Sequence, residues 1–178
     1  MTPVTARSRV PRSITTMTVS DLVANRRQVL DPLYDELPPL SGVRLRSVRL
    51  DGWAPAVTLR IDLPRFADRW EGGPGDTVQC HLQFGHVEDF AMDGWEPPVL
   101  VDITYEELAG HRLAVRVEGP GVRLAFTSNA SLLAGHLSVF TQDSDGGDGG
   151  PHAFVRRLDA KLYDTVPPVT ARTFYEHL

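Results

Sequence analysis

The sequence predicts a mainly β (α+β) protein. It is an antiparallel meander curled into a sandwich or open barrel, with an N-terminal helix and a C-terminal helix. Three observations predict this. Apolar and polar residues alternate with period two in about eight short runs. Gly-, Pro- and Asp-containing turn signals separate those runs. No long helical repeats alternate with them, which argues against a doubly wound α/β fold.

The elements follow in chain order. Residues 1–17 mix Thr, Ser, Pro and Arg without periodicity and read as a flexible tail. A helix begins at Thr18 or Ser20, either of which can N-cap it, and Asp21 suits its N-terminus. Leu22, Val23, Val29 and Leu30 give its apolar stripe. Asp31-Pro32 signals a second short helix, stopped by Pro38-Pro39.

From Ser41 the period becomes two. Val57, Leu59, Ile61 and Leu63 form one set, and Val78, Cys80, Leu82 and Phe84 another. Leu113, Val115 and Val117 form a third, and Val122, Leu124 and Phe126 a fourth. Each set implies a strand with one face in a core and the other in water. Weaker runs lie at 43–50, 86–93, 99–105 and 134–141. In the first of these the pattern slips between Leu45 and Val48, as a β-bulge would make it. Asp51-Gly52 and Gly119-Pro120-Gly121 read as hairpin turns, and Asn129 as a left-handed turn residue.

The domain expected at 18–142 is followed by a solvated acidic, Gly-rich linker at 143–151. Residues 152–178 then carry a C-terminal helix and an extended tail. Phe154, Val155, Leu158 and Leu162 supply the apolar stripe of that helix. Covering its own domain is its simplest role. The alternative is a homo-oligomer interface through residues 152–178.

Composition narrows the function. The 178 residues are 42% hydrophobic and 23% charged, ordinary values for a globular chain. No apolar run is long enough for a membrane helix. A net charge of −5 argues against sequence-independent nucleic-acid binding. The expectation is therefore no nucleic acid and no membrane. Cys80 stands alone, so neither a disulfide nor a cysteine-rich zinc site can form within the chain. Arg7, Arg9 and Arg12 precede no apolar stretch, which argues against a signal peptide and for a cytoplasmic location.

The chain carries no G-x-G-x-x-G, P-loop, H-E-x-x-H or G-x-S-x-G motif. Asp143, Asp145 and Asp148 fail the calcium-loop spacing, because the third ligand position is Gly147. The expected cofactors and metals are none. His81, on the strand face opposite Cys80, belongs with His86, Glu88, His111 and His136 to a catalytic alternative. They would act as acid–base groups if they converged on one cleft. Cys80 itself reads as a small buried hydrophobe.

Acidic residues cluster between 88 and 107 around one tryptophan. Asp89, Asp93, Trp95, Glu96, Glu106 and Glu107 are the candidate partner-binding residues. Charge of one sign selects and steers a partner, and an exposed aromatic supplies contact energy.

The runs LPPLSGVRL at 37–45, VTLRIDLP at 57–64, HLQFGHV at 81–87 and DGW at 93–95, with Trp70 between, carry a resemblance. Over about residues 20–141 the chain resembles the immunity protein 50 family of bacterial polymorphic toxin systems. Trp70, Phe84, Gly94 and Trp95 are the matching positions. The resemblance implies a small, largely β, cytoplasmic protein that neutralises a cognate protein toxin by binding it, without catalysis. The alternative is a small-ligand-binding protein or enzyme using the cavity of a curled sheet, for example in a biosynthetic cluster.

Overall fold

The computed structural model describes residues 18–96 and 98–155. Nine antiparallel strands form one open sheet in the order β4-β7-β6-β5-β1-β2-β3-β8-β9. In chain order they are β1 (Val43–Asp51), β2 (Ala56–Asp62), β3 (Thr77–Gly85), β4 (Glu88–Asp93), β5 (Val99–Leu108), β6 (Arg112–Gly119), β7 (Val122–Asn129), β8 (Leu132–Phe140) and β9 (Ala153–Phe154). The mainly β class and a strand at every alternating run are therefore as the sequence predicts. The slip in the first run is a register shift between Leu45 and Ser47 against β2.

The sheet curls until its own inner faces meet. Val57, Leu59, Ile61, Cys80, Leu82 and Phe84 share one cluster with Leu113, Val115, Val117, Leu124 and Phe126. Phe84 on β3 meets Phe126 on β7 edge-to-face, with centroids 5.1 Å apart, and Phe90 on β4 stacks on Phe126 at 6.2 Å. Cys80 lies in this core, and burial pushes its thiol up to about 12, so it stays protonated.

The N-terminal helix is smaller than its apolar stripe suggests. It divides into α1 (Val19–Leu22) and α2 (Arg26–Val29). Thr18 caps α1, donating its N–H and hydroxyl to the Asp21 carboxylate. The break falls at 23–25 because tertiary pairing overrides propensity there. Val23 forms a bridge with Leu132, and Asn25 bonds both the carbonyl and the N–H of Ala134. The second helix expected from Asp31-Pro32 is only a turn. The segment then runs across to β5, where the Leu40 carbonyl accepts the Ile103 N–H. Loop 64–76 is tied onto this turn through Arg69, which donates to the Asp31 and Tyr34 carbonyls.

Four further expectations are corrected. The polar faces of β2 and β3 are not in water: Thr58, Arg60, Asp62, Gln79 and His81 are all buried. Residues 143–151 are only in part a solvated linker: 143–145, 149 and 151 are exposed, whereas Gly146 is buried and Asp148 bonds Arg60 on that polar face. Ala153 and Phe154 pair with Val139 and Ser138 as a strand, so they are not part of a helix. Leu158 and Leu162, and the rest of that helix and tail, lie outside the described residues, as do residues 1–17. Asn129 ends β7 without a positive φ; the left-handed turn positions fall to His86 and His111 instead.

Gly94 has φ +73°, and a Cβ there would collide with the Gly121 carbonyl oxygen. Gly94→Ala is expected to cost about 1–3 kcal/mol. A lowered urea midpoint checks this.

Candidate functional site

Three places collect polar groups. The first is the second face of β1–β2–β3–β8. The antiparallel register sets Asp62 opposite Gln79, and Arg60 opposite His81. Arg46, at the bulge, donates through Nε to Asp62 at 2.9 Å. Gln79 donates to Asp62 and Asp148, at 2.9 and 3.0 Å, and accepts from Arg60 Nε at 2.6 Å. Residues 141–155 close over these groups. Asp148 pairs with Arg60 at 2.9 Å and with His152 at 2.8 Å, and the other nitrogen of that imidazole meets Ser138 Oγ at 2.7 Å. The His152 ring stacks on Phe140, with centroids 4.6 Å apart.

Burial alone would raise the Asp148 carboxyl. The hydrogen bonds from His152 and Gln79 and the Arg60 charge outweigh it and hold the carboxyl below its usual range. These groups neutralise one another, so the layer serves as a charged seam that fixes residues 141–155 on the sheet. Sequence reasoning missed it. The available signals were the opposite charges at Arg60 and Asp62 and the i,i+4 pair Asp148 and His152.

The histidines of the catalytic alternative separate into a pair on neighbouring strands and two turn positions. His81 and His136 are neighbours in the same layer, with ring centroids 4.9 Å apart. His86 and His111 occupy turns with positive φ, and Glu88 pairs with Arg112 at 2.9 Å. A cavity of about 350 Å³ is lined by His86 but by none of the other four. Among the described residues no group of three or more His, Cys, Asp or Glu could hold a metal ion.

Burial, then the charges of His136 and Arg60, drive the His81 imidazole well below its ordinary value. The unfolded chain therefore binds the extra proton first, and stability falls as pH drops below about 6.5 toward the folded value. Urea melts across pH 7.5 to 5 should show this loss, and His81→Gln should flatten it.

The second place is the outward acidic surface. Asp89, Asp93, Trp95, Glu96, Glu106 and Glu107 are all exposed, Trp95 by 43%. They form two groups. Register sets Asp93 level with Arg123, Glu118 and Asp102. Glu96 lies beside Gly121 at that same end. Glu106 is level with Ala114, Thr127 and Glu88 at the opposite end. Arg123 lies level with Asp93, and Arg116 stands between the two groups, so the face is not uniformly acidic.

The third place is a groove of about 860 Å³ between residues 18–20, 36–41 and β5 at 102–107. Glu36, Asp102, Glu106 and Glu107 line it, together with Leu37, Pro38, Ile103 and Tyr105. Ser41 Oγ and the Gly42 N–H donate to Asp102 at 2.6 and 2.8 Å, which lowers its carboxyl. Burial raises the Tyr105 phenol, so it is neutral at physiological pH.

Of the four positions that carry the family resemblance, Phe84 is in the core and Gly94 holds its tight turn. The Trp70 indole donates to the Gly73 carbonyl at 2.8 Å, while Trp95 faces outward. Among known proteins, the family model described as Immunity protein 50 matches residues 26–131. No curated protein and no solved structure matches the chain.

Proposed function

Because the chain belongs to the immunity protein 50 family, we propose that it is a non-catalytic immunity protein. It neutralises a cognate bacterial toxin in the cytoplasm by binding and occluding it. The family match over residues 26–131 is the observation that carries this reading. Two features of the molecule support it. The two cavities described above are lined by at most one of the five candidate acid–base residues, whereas an aromatic and several carboxylates face outward.

Trp95, with Asp93 and Glu96, forms the main contact at one end of β4, and Asp89 lies toward its other end. The ring supplies buried area on binding, and the carboxylates steer a basic partner toward it. Glu106 and Glu107 form a second contact. Trp95→Ala is expected to weaken the complex with the toxic product of the neighbouring gene by about 2 kcal/mol or more, roughly thirtyfold. Calorimetry on the folded variant measures it. An unchanged affinity removes this surface from the interface.

A further inference from the structure

We propose that the groove between residues 36–41 and β5 is a docking slot for an extended, arginine- or lysine-bearing segment of the partner protein. This inference rests on the binding reading above and names the surface and chemistry it would use. Three observations lead to it.

The first is charge. Four carboxylates line the groove, and among the described residues that line it there is no lysine or arginine. Glu36, Glu106 and Glu107 are exposed, so they reach an incoming cation without first breaking a buried pair. Asp102 is held ionised by Ser41 and Gly42, so its charge persists into acid.

The second is the mixed character of the walls. Leu37 and Tyr105 are half-buried beside the carboxylates, and Pro38 and Ile103 are buried beneath them. An apolar floor under an acidic rim matches arginine and lysine, whose methylene stems bury while the charged head stays at the rim. A phosphate-bearing partner, whether nucleic acid or membrane, would be repelled by the same four groups.

The third is shape. The slot runs along β5, with the chain at 38–40 beside it and the Leu40 carbonyl bonded to the Ile103 N–H at 2.8 Å. Six strand residues, 102–107, line one side of the space, a length of roughly 17 Å at the usual rise per strand residue. Such a space accepts an extended chain in preference to a compact ligand, as other peptide-binding grooves do.

The test titrates the full chain with a short labelled peptide alternating arginine and alanine, and with one alternating glutamate and alanine. Fluorescence anisotropy and backbone NMR shifts are the readouts. The arginine peptide is expected to bind in a salt-sensitive way and to shift resonances of residues 36–41 and 102–107. The double variant E106Q/E107Q should weaken it about tenfold, while E71Q/D145N, at exposed carboxylates outside the groove, should not. No binding, equal binding of the acidic peptide, or equal loss in both double variants would overturn the proposal.

A second arm uses the toxic product of the neighbouring gene. A complex that forms and is weakened by E106Q/E107Q supports the slot. A complex that forms with wild-type affinity in that variant rejects the slot and leaves the immunity reading standing. Failure of the wild-type chain to form any complex counts against the immunity reading itself.

Discussion

Asp148→Ala is expected to destabilise the protein by about 3–5 kcal/mol, because it strips a buried arginine of its carboxylate. The side chains of Asp148 and Arg60 are only 5% and 6% exposed, and their ion pair spans 2.9 Å. Alanine in place of Asp148 also removes the acceptor of His152 Nε2 and one acceptor of Gln79. Each of those groups then loses a bond that water reaches poorly. Urea unfolding followed by circular dichroism measures the loss. The double variant R60M/D148L should recover part of it, because no charged arginine is left unpaired, whereas His152 and Gln79 still lack their bonds to Asp148. If Asp148→Ala unfolds at the wild-type midpoint, the seam contributes nothing and residues 141–155 are held by other means.

Phe84→Ala should cost a similar amount, about 3–5 kcal/mol, for a different reason. Phe84 is 2% exposed and meets Phe126 across the interior, so its ring joins β3 to β7. Those strands are not hydrogen-bonded neighbours in the sheet. Truncation leaves a cavity where the two halves of the curl meet. Phe84→Leu fills much of that volume and should lose clearly less than alanine does. Equal losses would mean that the aromatic contact, rather than the filled volume, holds the curl closed.

The strands were legible because each pairs an apolar face with a polar one, and the core reads only the apolar face. Val57, Leu59 and Ile61 would mark a strand in any context that buries one side. The bulge at Leu45–Ser47 was equally legible, since a one-residue slip moves every following side chain to the other face. What the alternation could not show is what lies against the polar face. Arg60 and Gln79 look like solvent-facing residues, and only residues 141–155 folding back make them interior.

Composition misled at that same segment. Gly146, Gly147, Gly149 and Gly150 read as freedom, yet Gly146 (φ +82°) lets the backbone pass directly over the Arg44 guanidinium, where a Cβ would collide. The break between α1 and α2 was hidden for a related reason. The apolar stripe through Leu22, Val23 and Val29 is buried, but a bridge from Val23 to β8 ends the helical path.

The candidate site divides along the same line. The acidic residues stand out because charge is visible one residue at a time, and they are exposed. Their arrangement was not legible. Asp93 and Glu106 are close in sequence, but the register of β4, β7, β6 and β5 sets them at opposite ends of the sheet. The histidines show the reverse. His81 and His136 are far apart in sequence, yet neighbouring strands bring their rings together inside the molecule.

On the proposed reading this chain acts by holding another protein on its outer surface. Titration of the full, folded chain with the purified toxic product of the neighbouring gene is expected to give a saturable complex with loss of toxin activity, and growth protection when the two are produced together. A folded toxin that neither binds nor loses activity at saturating concentrations of this chain refutes that reading.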